Sequence, residues 1–291
     1  MVGTDRAHAD SFTAACVQMR TGKDIDRNIE DASELIREAA GVGAQFITTP
    51  ETTALMELGA KRLFTNIVAE EEDRALKAFQ ALASDLNIHL LVGSLAVKVA
   101  EDKAANRSFL ITPDGAIAAR YDKIHMFDVD LGNGEAYRES KNYQAGGEAV
   151  LADLSSLGLG GKLGMTVCYD LRFPHLYRQL AQAGAGYLAV PSAFTKPTGE
   201  AHWHVLLRAR AIETGCFVFA PAQGGSHENG RETYGHSLII DPWGEVLAEA
   251  GTDPCVILAE IDPAKIVDAR SRIPSLAHDR AIIAPGTISG A

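Results

Sequence analysis

Twice along this chain, short apolar runs rich in β-branched residues alternate with segments whose apolar residues recur at helical spacing, and each series ends in a hairpin. In the first series Phe12 to Met19 reads as a strand. Asp26 to Ala40 reads as a helix, with Ile29, Ala32, Leu35, Ile36 and Ala39 on one face and Gly41 and Gly43 to end it. Ala44 to Thr49 is a strand closed by Pro50, Arg74 to Leu86 an amphipathic helix and Ile88 to Val97 a long strand. Asn106 to Thr112 and Ala116 to Tyr121 pair around Pro113-Asp114-Gly115. The second series runs through a strand at Leu163 to Val167, a helix from Pro174, a strand at Gly186 to Val190, a helix at Gly199 to Thr214 and a strand at Cys216 to Ala220. Its hairpin, Tyr234 to Ile240 with Glu245 to Ala250, turns at Asp241-Pro242-Trp243-Gly244. Cys255 to Ile261 is a last strand, with a short helix from Pro263.

Strand–helix alternation requires crossover connections and sheets covered by helices. The echo of Ser108 to Arg120 in Ser237 to Glu249 has two accounts, a true internal repeat or the general likeness of hairpins. Both give two β-sheets face to face with helices outside: an α/β fold of four layers, αββα. No Pro/Gly/Ser-rich linker divides it, so one domain is expected over residues 11–291, after a polar, frayed leader at 1–10.

The net charge of −11 argues against nucleic acid or an anionic membrane as partner. No apolar run is long enough to span a bilayer. Four cysteines, at 16, 168, 216 and 255, are scattered through apolar runs of a long chain, and the start has no secretory pattern. A disulfide framework is therefore not expected, and a reducing cytoplasm fits.

Chemistry concentrates just beyond strand ends. Cys168 follows the buried run Leu163 to Val167 and precedes a helix that opens at Pro174, where orphan N–H groups and the helix dipole favour a thiolate and later an oxyanion. By position alone a sheet-core cysteine is the favoured reading over a nucleophile. Glu51 ends another strand, Lys123 follows the first hairpin, and Glu139 lies in the long polar stretch Asp128 to Gly147. A thiol attacking a carbonyl needs a base for its proton and positive charge or N–H donors at the oxyanion. A carboxylate raised in pKa by burial, a buried lysine and a second carboxylate to hold that lysine would supply them. Singly, each of these residues reads as an ordinary exposed charge. His202 and His204 stand two apart on a helix and face different sides, and no His-Glu-x-x-His pattern occurs, so no metal site is expected. His125 and His236 read as structural hydrogen-bonders, and Trp203 and Trp243 as packing anchors.

Taken together and in order, these pieces resemble the nitrilase (carbon–nitrogen hydrolase) superfamily over Phe12 to about Arg280. They are Pro50-Glu51, Tyr121-Asp122-Lys123-Ile124-His125, Cys168-Tyr169-Asp170-Leu171-Arg172-Phe173-Pro174, Gly199-Glu200-Ala201-His202-Trp203, Arg208 to Glu213, Gly235-His236-Ser237 and Asp241-Pro242-Trp243-Gly244. The resemblance implies a Glu–Lys–Cys triad at Glu51, Lys123 and Cys168, and a supporting second glutamate at Glu139. It implies an oxyanion donor in the backbone N–H of Tyr169. It also implies an αββα fold pairing into an eight-layer homodimer or higher homo-oligomer through helices near the nucleophile, and no metal or organic cofactor.

The wording around Cys168 is most similar to the omega-amidase and deaminated glutathione amidase branch. By that likeness Arg172 receives a substrate carboxylate, which a planar guanidinium grips bidentately. Phe194 covers the substrate chain and Thr198 adds a polar contact. The implied activity is hydrolysis of an amide on a small carboxylate-bearing molecule, releasing acid and ammonia through a thioester. N-carbamoyl amino acid hydrolysis, nitrile hydrolysis and a catalytically silent binding role are the alternatives. The segment Thr52-Thr53-Ala54-Leu55 departs from the omega-amidase wording.

Overall fold

The computed structural model describes residues 11–132, 134–154 and 158–282; the leader at 1–10 and the last residues of the expected domain lie outside them. The first series forms β1 (Phe12–Gln18), α1 (Ile25–Gly41), β2 (Phe46–Thr48), α2 (Ala60–Asn66), α3 (Arg74–Leu86), β3 (His89–Lys98), β4 (Ala104–Ile111) and β5 (Ile117–Asp122). A small hairpin, β6 (Asp128–Asp130) and β7 (Ala136–Arg138), and β8 (Val150–Asp153) follow. The second series is β9 (Lys162–Met165), α4 (Pro174–Gln182), β10 (Tyr187–Ala189), α5 (Lys196–Thr214), β11 (Phe217–Ala220), β12 (Gly224–Ser226), β13 (Glu232–Tyr234), β14 (Leu238–Ile240) and β15 (Val246–Glu249). The chain continues through β16 (Cys255–Ile261) and α6 (Ala264–Arg272).

Two six-stranded sheets result, ordered β16-β1-β2-β3-β4-β5 and β15-β14-β11-β10-β9-β8. In each, three strands run parallel and a hairpin adds two antiparallel strands. The strand after each hairpin then crosses to the other sheet. β8 pairs antiparallel with β9, and β16 pairs antiparallel with β1. This reciprocal exchange of an edge strand repeats far more than a hairpin, and it favours the internal-repeat account of the sequence echo.

Strand alternation divides the apolar residues between two cores. Along β1, Ala14 and Cys16 face the second sheet, while Ala15 and Val17 face α1 and α3. Phe46 and Leu91 go inward while Ile47, Leu90 and Val92 go outward. Aromatic edges lock the inner faces, Phe12 on Tyr187 at 5.8 Å and Phe46 on Phe219 at 5.3 Å. α1 and α3 cover the first sheet, α4 and α5 the second. Asp24 and Asp73 cap α1 and α3 by accepting from two backbone N–H groups each.

Four local expectations are corrected. β9 ends at Met165, so Thr166 and Val167 lead to Cys168 outside the ladder. α5 starts at Lys196 rather than Gly199, because Pro197 suits its first turn, and this puts Thr198 on the helix. The acidic segment Thr65 to Glu72, which its composition places on the surface, is not simply exposed: Glu70 takes Arg107 and Arg120, both at 2.7 Å. Trp203 is a buried anchor, but Trp243 is half-exposed beneath the Arg272 guanidinium.

Candidate active site

Glu51 follows β2 and is 4% exposed. Its place depends on a bulge in β3, where the register with β4 shifts between Val92 and Leu95. Gly93 lies in the bulge; a Cβ there would stand 2.0 Å from the Thr49 carbonyl oxygen and 2.6 Å from Pro191 Cβ. Only glycine lets the two chain segments meet so closely. The next residue, Ser94, accepts from the backbone N–H groups of Thr52 and Thr53 at 2.9 and 3.0 Å. Gln223 Nε2 holds the Glu51 carbonyl at 3.0 Å.

Lys123 leaves the end of β5 and is 2% exposed. Its Nζ donates to Glu51 Oε1 at 2.8 Å and to both Glu139 oxygens at 2.9 and 3.1 Å. Glu139 comes from a 3₁₀ turn after β7 and is fixed by the Phe127 backbone N–H at 2.7 Å. Asn106, on β4, donates through Nδ2 to Glu51 Oε1 at 2.9 Å and to Glu139 Oε1 at 3.0 Å. The Ala193 N–H takes the other Glu51 oxygen at 3.0 Å.

Cys168 opens a 3₁₀ turn with φ +51°, a left-handed conformation that β-carbon residues adopt at a steric cost. Its N–H is held by the Pro191 carbonyl. The wholly buried Asp170 carboxylate joins this turn to the lysine's strand. It accepts from Val167 N (2.9 Å), Tyr121 Oη (2.7 Å) and His125 N (3.0 Å), and it meets His125 Nδ1 at 2.7 Å.

Burial pushes the Glu51 carboxyl up, but the Lys123 charge and hydrogen bond, the Cys168 thiol's hydrogen bond and the Arg231 charge outweigh it. The balance lies below the usual glutamate value, the reverse of the raised pKa expected from burial alone. Burial also works against the Lys123 ammonium, and the charges of Glu139 and Glu51 overcome it and raise its pKa well above 10.5. Burial first, and then the Glu51 charge, push the Cys168 thiol up against the pull of Lys123. The resting arrangement is carboxylate, ammonium and neutral thiol.

These groups line a cavity of about 240 Å³. The structure brings Glu51, Lys123, Glu139 and Cys168 together there with Tyr169, Arg172, Phe194 and Thr198. Arg172 lies over the Tyr169 and Phe194 rings at 6.0 and 5.5 Å, with Nη2 3.2 Å from His202 Nδ1. Phe194 is buried against Trp203, and Thr198 Oγ1 pairs with Thr195 Oγ1 at 2.8 Å. Thr52 and Leu55 of the divergent segment, with Met56, are also in the wall.

Among the lining residues that escaped the sequence reading are Asn106, Tyr143 and Arg231. Asn106 ends a hairpin strand and carries no motif. The other two stand in irregular loops, where spacing gives no signal.

Among the described residues, one cluster has a donor set that can hold a metal. His204 Nε2, His236 Nδ1 and Glu249 Oε1 all lie within 4.8 Å of one another, outside the cavity. Here both rings meet the same carboxylate oxygen at 2.9 Å. All four cysteines are free. Among the described residues no helix is long and apolar enough to cross a membrane.

Sequence comparison matches residues 13–271 to the carbon–nitrogen hydrolase family. A deaminated glutathione amidase of Synechocystis is 42% identical over 92% of this chain and 97% of its own. One from Yersinia enterocolitica is 37% identical over 91% and 92%. The crystal structure of the Caenorhabditis elegans NitFhit protein superimposes with a TM-score of 0.87 at 34% identity, covering 94% of this chain and 66% of that one.

Proposed function

The chain belongs to the carbon–nitrogen hydrolase family and is an amide-hydrolysing enzyme, and from that premise we propose that it cleaves amides of small 2-oxo carboxylic acids, deaminated glutathione above all, through a thioester on Cys168. The observation that carries this reading is the buried Lys123 ammonium held between Glu51 at 2.8 Å and Glu139 at 2.9 Å beside a cysteine in a cavity.

In the first step Cys168 Sγ attacks the amide carbon while its proton passes to Glu51. A low carboxylate pKa and a high thiol pKa make this transfer uphill on its own, so it proceeds with S–C bond formation rather than before it. The carbonyl oxygen becomes an oxyanion facing Lys123 Nζ and the Tyr169 N–H. Two of the three Lys123 contacts go to one carboxylate, so one N–H can turn to the oxyanion while Glu139 keeps its hold. The C–N bond then breaks, Glu51 gives its proton to the departing nitrogen, and a thioester remains. Water, deprotonated by Glu51, attacks the thioester and releases the acid and the free thiol. Arg172 holds the carboxylate of the acyl half, Phe194 covers its chain and Thr198 adds a polar contact.

The leaving group follows from the substrate. An omega-amide of a 2-oxo acid releases ammonia. In deaminated glutathione the amide nitrogen next to the oxo-acid belongs to cysteine, so cleavage there releases cysteinylglycine instead. A single-domain homodimer in a reducing cytoplasm completes the proposal, supported by the free cysteines and by the exposed apolar residues of α5.

The test measures the released acid together with ammonia or amine. Substrates are deaminated glutathione, 2-oxoglutaramate, an N-carbamoyl amino acid and an aliphatic nitrile, each with wild type and Cys168→Ala. Turnover of the first two, lost in the variant, is expected. Turnover of the carbamoyl compound alone, or full activity in Cys168→Ala, would overturn the assignment.

A further inference from the structure

We propose that Arg231 is a second carboxylate-binding residue of this pocket, placed on the leaving-group side of the scissile amide, so that the preferred substrates carry a carboxylate on each side of that bond. Arg231 stands in the turn between β12 and β13 and lines the cavity. Its guanidinium donates through Nη2 to the Ala193 carbonyl, brings Nη1 to 3.9 Å from Met56 Sδ, and lies 5.3 Å over the Tyr137 ring. Its Nε is buried with no hydrogen-bond partner. Among the described residues, neither Arg231 nor Arg172 has a carboxylate within the 4.0 Å of an ion pair. Elsewhere Arg107 pairs with Glu70 and Asp122 and Arg210 with Glu213, whereas Arg270 is satisfied by the backbone carbonyls of Ala185 and Thr214. The Arg231 charge reaches Glu51, yet among the described residues no carboxylate forms an ion pair with either guanidinium, and two such guanidinium groups in one cavity suit two anionic groups of a ligand.

Their places divide the substrate between them. Arg172 rises from the turn that begins at Cys168 and belongs with Tyr169 and Phe194. Arg231 is tied to Glu51 through a single residue, since Ala193 donates its N–H to Glu51 Oε2 and offers its carbonyl to the guanidinium. Glu51 must reach the departing nitrogen to protonate it, and a cation on its flank is therefore on the leaving-group side. That orientation rests on the amidase reading above, whereas the presence in one pocket of two arginines without an ion-pair partner among the described residues does not.

The experiment compares two substrates with one acyl group. Deaminated glutathione has a leaving group that bears a carboxylate; 2-oxoglutaramate releases ammonia. Charge-assisted hydrogen bonds of this kind amount to about 10- to 100-fold in affinity. Arg231→Ala and Arg231→Gln should raise KM for deaminated glutathione relative to KM for 2-oxoglutaramate by that factor, while any change in kcat through the Arg231 charge on Glu51 is shared by both substrates. Arg231→Lys should recover part of the loss. Equal loss on both substrates, with a displaced pH profile, would overturn the proposal and make Arg231 a brace for Ala193 and Glu51.

A binding measurement keeps the two readings separable. Calorimetry on Cys168→Ala compares N-glutarylglycine, with two carboxylates, against glutaramate, with one. The dicarboxylate should bind more tightly, and Arg231→Ala should abolish the difference. If the wild type cleaves neither amide, the proposed function falls while this preference still decides the arginine. Equal binding of both probes would refute the second anchor.

Discussion

Glu51 is subject to opposed effects: burial disfavours its charge, and Lys123, 2.8 Å away, restores it. Its depressed pKa gives the pH dependence a definite sign. The rate should hold from neutral pH down toward 4.5 and fall only as pH passes through the lowered value, because the base must be ionised. Stability follows the same direction. A group with a depressed folded pKa contributes stability above its unfolded value, here 4.5, and that contribution is lost as pH falls through the folded value. Glu51→Gln keeps the shape but removes the proton acceptor, and kcat should fall by about 10²- to 10⁴-fold. A pH–rate profile of wild type and steady-state kinetics of the variant check both; a variant within threefold of wild type, a factor worth only about 0.7 kcal/mol, would exclude Glu51 as base. Glu51 and Lys123 were legible in the sequence because each follows a strand, whereas Glu139, in a long polar stretch, stood out only through the family resemblance. The direction of the Glu51 shift was not legible, since it depends on distances that no motif encodes. Asn106 shows the same limit: an amide between two carboxylates is a tertiary fact.

At the scale of elements, the turn at Cys168 and the end of β5 are aligned by Asp170. Its carboxylate bonds Val167 on one side and Tyr121 and His125 on the other, fully out of water. Asp170→Ala removes the shared acceptor and leaves several buried donors unpaired, at about 1–3 kcal/mol each. The expected result is a sharply lowered Tm and a fall in kcat from misaligned Lys123 and Cys168. Asp170→Asn keeps the volume and one acceptor, and should lose less. Circular dichroism melting and kinetics on the two variants test this; wild-type Tm in Asp170→Ala would show that the bonds contribute nothing. Gly93→Ala should be still more disruptive, because the new methyl meets backbone oxygens that cannot move without shifting Glu51. Periodicity made the main helices and strands readable. It missed the β6–β7 hairpin, whose strands are three residues each and too short to show a period, and the first three residues of α5, where Pro197 looked like loop. In both cases local composition resembled coil and only tertiary pairing set the structure.

At the scale of the molecule, the outward face of α5 bears on how the proposed dimer forms. The helix buries Trp203, Leu207, Ala211 and Thr214 against the second sheet. Its other face carries Val205 and Ile212, exposed by 69% and 53% and seven residues apart, hence aligned. Ile212 adjoins the β14–β15 turn: a Cβ on Gly244 would meet it at 2.6 Å, and the half-exposed Trp243 is next in sequence. Apolar side chains grouped in this way on a surface mark a contact site, and a stable one buries about 800 Å² per partner. The same helix bears Thr198 in the cavity wall and His202 against Arg172, so a partner seated on α5 would steady one side of the pocket. Light scattering on the purified protein should give twice the chain mass. Val205→Glu with Ile212→Glu places charge in the contact and should yield monomers at micromolar concentration. Those monomers should keep the far-ultraviolet spectrum, with weaker binding of carboxylate substrates rather than a loss of the chemical step. A wild-type monomer, or a double variant that remains dimeric, would exclude α5 as the interface. Monomers with unchanged KM would separate assembly from the pocket and leave the Arg172 wall rigid by its own packing on Phe194 and Tyr169.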